Sequence, residues 1–166
     1  MKTIHLIRHS KSSWAIDGIE DCDRPLKGRG IRDAQMMSQF LKNEISDAHE
    51  LLWCTSPAIR ALHTAFIFAR TLGVQENKVC INDALYACDA SEMLHFLQMT
   101  SEDHNAVIIF AHNPAITQVV NQITNARINN VPTSGMVSIR FECENWKGIA
   151  AGAELIQFQY PKGITR

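Results

Sequence analysis

A chain of 166 residues with 46% apolar content can bury one sizeable core, and 1–166 reads as one domain, since two halves would each be small. A formal net charge of −1 gives no footing for nucleic acid or a membrane surface, so attraction for an anion has to come from local placement of charge. The apolar runs fall short of the ~18 residues a membrane span needs; the opening MKTIHLIRHS lacks a signal-peptide core, and five scattered cysteines without a CxxC fit neither a disulfide framework nor a zinc site, so a metal-free cytoplasmic protein is expected.

Residues 3–8 read as a strand, and 31–41 as a helix with Ile31, Ala34, Met37, Phe40 and Leu41 on one stripe. A short strand at 51–55 precedes a helix at 57–72, whose apolar face carries Ile59, Leu62, Ala65, Phe66 and Ala69. A strand at 79–81 and a helix at 91–98, capped by Ser91, follow. Residues 106–111 form a buried strand, and 115–124 a helix with Ile116, Val119, Val120 and Ile123 inward. The last third alternates instead: Val137, Ile139, Phe141 and Cys143 interleave with Ser138, Arg140 and Glu142, and 155–160 returns after a turn. The strand–helix rhythm predicts an α/β three-layer sandwich, its central sheet mostly parallel with helices on both faces, extended by a C-terminal hairpin.

Three strand-to-helix junctions carry the chemistry. The first strand ends in Arg8-His9-Ser10, the second is followed by Ser56-Pro57 with Arg60 a turn later, and 106–111 ends in His112-Asn113-Pro114. Parallel strands share a C-terminal edge, where ligands bind in open α/β sheets, so two histidines and two arginines are expected to converge. Ser56 and Asn113 read as N-caps, each before a proline at the first helical position, and helix N-termini suit a phosphate. Guanidinium forks match phosphate oxygens, a neutral imidazole can attack phosphorus, and a second histidine can hydrogen-bond the equatorial oxygens. Arg8 and His9 are adjacent, so they can share a pocket only if the strand stops between them.

RHSKSSW at 8–14, DRPLKGRGIRDA at 23–34, SPAIRALHTA at 56–65, HNPAIT at 112–117 and VPTSGMVSIRF at 131–141 resemble, in order, the motifs of the histidine phosphatase superfamily (the phosphoglycerate mutase-like fold), and most closely its SixA-type phosphohistidine phosphatases. The resemblance implies that His9 is the phosphorylated nucleophile and that Arg8, Arg60 and His112 bind the phosphoryl group. Arg24 and the backbone N–H of Asn113 would be further phosphate contacts. It implies no cofactor. The substrate would be a phosphohistidine on a protein partner, or alternatively a small phosphorylated molecule handled by a phosphomonoesterase or mutase. A non-catalytic phosphate-binding module is the remaining alternative.

Mutase-like relatives carry a glutamate in an L-x-E pattern where this chain has Leu85-Tyr86-Ala87, as SixA-type members also lack it. A phosphoramidate needs less help from an acid than an alkyl ester does, which favours phosphohistidine; Asp89 is the candidate substitute acid. His63 stands where the family often has glutamine, and Ser10 where it often has glycine or alanine. His5 is expected to pack, His49, His95 and His104 to face solvent, and Trp14 and Trp53 to pack, Trp14 close to the entrance. Gly28-x-Gly30 has no nucleotide-binding context. Cys54 and Arg60 have the C-x5-R spacing of cysteine phosphatases, but the glycine-free segment between them contains Pro57, which removes a donor.

Overall fold

The structure, a computed structural model, describes residues 1–164. Among these, six strands form one sheet: β1 (Lys2–Arg8), β2 (Leu52–Thr55), β3 (Val79–Ile81), β4 (Ala106–Ala111), β5 (Met136–Phe141) and β6 (Glu154–Gln159), in the order β3-β2-β4-β1-β5-β6. The first four are parallel, and β5 runs antiparallel to both β1 and β6. Helices α1 (Gly28–Glu44) and α2 (Ile59–Leu72) pack on one face, α3 (Ala90–Gln98) and α4 (Ala115–Ile123) on the other. This is the expected sandwich, with the hairpin added beside β1. No described helix is long and apolar enough to cross a membrane.

The central strands are apolar on both faces because both are covered. In β4, Val107 and Ile109 join Met93, Ile116 and Val120 beneath α3 and α4, while Ile108 and Phe110 meet Met37, Trp53 and Phe68 beneath α1 and α2. Phe110 lies between Trp53 and Phe68, at centroid distances of 5.9 and 5.3 Å. Side chains of this size each contribute about 1.5–3 kcal/mol when fully buried. Lys2 is also buried. Its ammonium pairs with Glu102 at 2.9 Å, donates to the His104 carbonyl and lies over the Trp146 ring, so the charge enters the interior fully partnered.

Three helix starts differ from the sequence expectation. Ser56-Pro57 does not open α2: its N-cap is Ala58, and the Ser56 hydroxyl accepts from the Ala58 N–H at 3.3 Å, closing a turn before the helix. Asn113 does not cap at the expected position either. The Asn113–Pro114 peptide is cis, Pro114 is the cap, and Asn113 Oδ1 accepts from the N–H and hydroxyl of Thr117. α3 is capped by Asp89 rather than Ser91, in a capping box with Glu92.

Gly30 has a packing role rather than a nucleotide-binding one. A Cβ there would sit 2.2 Å from the Lys11 carbonyl oxygen, so only glycine lets α1 approach the segment that leaves β1.

Candidate active site

The C-terminal ends of β1, β4 and β2 lie side by side at one edge of the sheet. The His9 N–H donates to the Ala111 carbonyl and the Ser56 N–H to the Phe110 carbonyl, each at 3.0 Å, so the three junctions are joined through the backbone. β1 stops at Arg8, which frees His9 from strand alternation and lets both side chains serve one region. The turn before β5 closes over them. Ser134, at φ 61°, donates its N–H to the carbonyls of Arg8 and His9 at 3.2 Å each, and its hydroxyl meets that of Ser10 at 2.6 Å. From the helix side, Thr64 Oγ1 accepts the Ser10 N–H and donates to the Arg60 carbonyl. A left-handed non-glycine residue held by such bonds is backbone strain maintained by its surroundings.

The imidazoles of His9 and His112 face each other with centroids 5.1 Å apart. Burial, opposed by a backbone hydrogen bond and reinforced by the nearby arginines, pushes the His9 pKa down to about 4, so the ring is neutral at physiological pH. Its Nδ1 lies 2.8 Å from the Ser10 carbonyl, which can only accept, so the proton sits on Nδ1 and the lone pair is left on Nε2. That is the tautomer a nucleophilic imidazole requires. Burial, then the neighbouring His9 and Arg60, hold His112 at about 3. Its Nε2 is 2.8 Å from the Ser56 hydroxyl, which also accepts the Ala58 N–H. Nε2 is the acceptor within reach of the hydroxyl's single proton, and with that proton directed to Nε2 the His112 proton resides on Nδ1.

Four buried side-chain polar atoms among the described residues have no hydrogen-bond partner, and three of them are Arg8 Nε, Arg60 Nε and His112 Nδ1. Buried donors are almost always satisfied, so three orphans beside one free imidazole lone pair mark a place for an acceptor-rich group. Arg8 also donates Nη1 to the Val131 carbonyl at 2.9 Å, and Arg60 donates Nη1 and Nη2 to the carbonyl oxygen and Oδ2 of Asp21, at 2.6 and 3.0 Å. A guanidinium has five N–H groups, so three of Arg60's, including Nε–H, stay uncommitted.

Asp21 and Tyr86 were not singled out from sequence. Asp21 Oδ1 accepts from Arg24 at 2.9 Å, and Oδ2 from Arg60 and from the Tyr86 hydroxyl at 2.8 Å. Against a burial effect that would raise it, these hydrogen bonds hold the Asp21 carboxyl down at about 2. The Tyr86 ring meets His112 edge-on at 5.8 Å. Arg24 is committed mainly to its own loop: Nε donates to the Ser13 carbonyl, Nη2 to the Ser12 hydroxyl, and its face stacks on Trp14. Asn113 Nδ2 donates to Asn130 Oδ1 and to the Val131 carbonyl, fastening the loop that also receives Arg8.

Asp89, the candidate acid, is a helix cap: its Oδ1 accepts from the Glu92 N–H and the Ser91 hydroxyl, and these bonds lower its pKa, which favours the ionised form over a proton donor. His63, on α2, makes no hydrogen bond to the described residues. Trp14 is not packed in the core but 73% exposed against Arg24, unlike the buried Trp53. Cys54 lies within β2, and burial raises its thiol to about 12, far from a reactive thiolate. His5 packs, with Nδ1 2.8 Å from the Ser138 hydroxyl on the paired strand, and burial lowers it to about 4. His49 and His95 are exposed as expected, whereas His104 is half-buried near the Glu50 carbonyl.

Three histidines held neutral by desolvation, His5 buried and His9 and His112 half-buried, have a consequence for stability. Their folded pKa values of about 4, 4 and 3 lie below the ordinary 6.5, so between these limits the unfolded chain binds protons that the folded one refuses. Stability is therefore complete above pH 6.5 and falls as the solution is acidified, by about 1.4 kcal/mol per pH unit for each histidine. Urea unfolding is expected to give a markedly smaller free energy at pH 5 than at pH 7; equal values would contradict neutral burial of the three rings.

A family model described as the histidine phosphatase superfamily (branch 1) matches residues 4–93. An uncharacterised protein of Mycobacterium leprae is 28% identical, over 94% of this chain and 100% of its own. Among solved structures, the protein histidine phosphatase SixA complexed with tungstate superposes with a TM-score of 0.78 at 20% identity, covering 98% of this chain and 99% of that one. A mycobacterial glucosyl-3-phosphoglycerate phosphatase complexed with VO3 follows at a TM-score of 0.69 and 12% identity, over 96% and 100%. At these identities the structural likeness establishes the fold.

Proposed function

The chain belongs to the histidine phosphatase superfamily, branch 1, and on that premise we propose that it is a phosphohistidine phosphatase working through a phosphorylated His9. The observation that carries the reading is the His9 tautomer: Nδ1–H is committed to the Ser10 carbonyl, and Nε2 is free beside the orphan donors of Arg8, Arg60 and His112.

In the first step, His9 Nε2 attacks phosphorus and a P–Nε2 bond forms. The substrate P–N bond breaks, and its electron pair stays on the departing imidazole nitrogen. Arg8, Arg60 and the Nδ1–H of His112 hydrogen-bond the three equatorial oxygens, where charge spreads. The bond from Nδ1 to Ser10 supports the positive charge the His9 ring acquires on phosphorylation. In the second step, water attacks phosphorus, P–Nε2 breaks and its pair returns to Nε2; one proton of the water stays on the oxygen now bound to phosphorus, the other passes to a phosphoryl oxygen, and dihydrogen phosphate leaves. Arg24 serves by holding the loop that bears Asp21, and the Asn113 N–H is a further donor to the phosphoryl group.

The choice of substrate rests on the scarcity of acid. Tyr86-Ala87 supplies no carboxyl at the family's usual position, Asp89 is a cap, and Asp21 is held ionised by bonds from Arg24, Arg60 and Tyr86, so it has no proton to give. An alkyl alkoxide leaves poorly without a proton, whereas an imidazole protonated on its far nitrogen leaves neutral. Rates on a phosphohistidine peptide, acetyl phosphate and glycerol phosphate are expected to fall in that order, by about 10²-fold or more between the first and the last, the range of a missing general acid. Glycerol phosphate turned over as fast as the peptide would favour the small-molecule alternative.

A further inference from the structure

Asp21 is a fixed anion at the rim of a pocket built for anions, and catalysis as derived above gives it no step. Its side chain keeps 47% of its surface exposed while its carboxylate touches two guanidiniums and a phenol. A carboxylate offers about four lone-pair sites. Arg60 and Tyr86 occupy Oδ2, and Arg24 takes one position on Oδ1, so Oδ1 retains an acceptor position on an exposed group. The position is close to the chemistry: Arg60 joins Asp21 to the phosphoryl pocket, and Tyr86 contacts both Asp21 and His112.

The geometry points to Asp21 as a specificity residue that selects phosphoryl donors by the charge of the leaving group, favouring a cationic or N–H-bearing group over an anionic one. Resting on the phosphohistidine reading, the natural occupant of Oδ1 is the far N–H of the substrate imidazole. A hydrogen bond there holds the ring in the protonated form from which the P–N electron pair can depart. A leaving group bearing a carboxylate would meet Asp21 as a like charge.

Two aryl phosphates test this without relying on phosphohistidine: one with a para-trimethylammonium group and one with a para-carboxylate. Their kcat/KM values are compared in the native protein, Asp21→Asn and Asp21→Glu. The native enzyme's preference for the cationic ester is expected to shrink about tenfold in Asp21→Asn, as for removal of one nearby charge at a partly solvated rim, and to persist in Asp21→Glu. Differences in leaving-group acidity cancel, because each variant is compared with the native enzyme on the same ester. Equal losses on both esters would overturn the proposal, reducing Asp21 to a brace for the guanidiniums. Equal gains would also overturn it, since the carboxylate would then merely compete with phosphate, and so would turnover of neither ester by the native enzyme. Failure to hydrolyse a phosphohistidine peptide with the charge preference intact would refute the substrate reading and leave this one standing. If Asp21→Asn does not fold, Asp21→Ser removes the same charge and is read in the same way.

Discussion

His9→Ala is expected to lower phosphatase turnover by about 10⁴-fold or more and to abolish covalent labelling by a phosphodonor. Nothing near His9 can substitute for it. The His112 ring is neutral too, but its Nε2 lone pair faces the Ser56 hydroxyl, and its Nδ1 carries the proton. The remaining machinery would still bind phosphate, so the variant should keep its affinity for an inert oxyanion while losing turnover. Loss of a nucleophile in a covalent mechanism typically costs ~10⁴ to 10⁶ in kcat, the residue being what the surrounding donors achieve alone. The native protein's label should be acid-labile and base-stable, as a phosphoramidate is. Label persisting in His9→Ala, or turnover within tenfold of native, would end the His9 mechanism.

Arg60→Ala carries the second large effect, a fall in kcat of about 10²- to 10³-fold. Arg60 is buried and paired with Asp21, and in the proposed mechanism its remaining N–H groups hold the phosphoryl group, so the substitution removes a preorganised cation from a site of low polarizability. Arg60→Lys is expected to recover no more than about tenfold, because an ammonium restores charge but not a planar fork that can hold Asp21 and a phosphoryl oxygen together. Parallel melting curves distinguish this from unfolding. Full activity in Arg60→Lys would mean that charge alone matters and that the geometry drawn here does not.

The parts of the site that could be read from sequence are those fixed by periodic elements. Arg8, His9, Arg60 and His112 each lie at or just beyond the end of a strand whose apolar pattern is unmistakable, and a parallel sheet forces those ends together. The residues that escaped notice lie where no period operates. Asp21 belongs to a loop with no amphipathic pattern, and although Arg24 is a near neighbour, the partners that join it to the site are 39 and 65 positions away, so nothing local announces those contacts. Tyr86 stands at the unspecified middle position of the L-x-E pattern, whose glutamate site is Ala87, so the pattern gives it no signal of its own. The caps differ for a related reason: a side chain that can start a helix can also close a turn ahead of one, as Ser56 does, or reach the first-turn N–H from one position further out, as Asn113 does. Asp89 was the exception with a local signal, since an acceptor three residues before Glu92 spells a capping box.

Ser134 ties the far hairpin to His9, the proposed nucleophile. Its amide reaches two carbonyls of the Arg8–His9 segment, and β5, beginning two residues later, zips antiparallel along β1 from Ile7 back to Lys2. A single residue inserted or deleted between Ser134 and Met136 would either invert which side of β5 faces each neighbouring layer or pull the amide off its two acceptors. The outermost ribbon is therefore a calibrated ruler laid against the strand that presents the proposed nucleophile, and an error in its length is expected to be felt first as lost turnover.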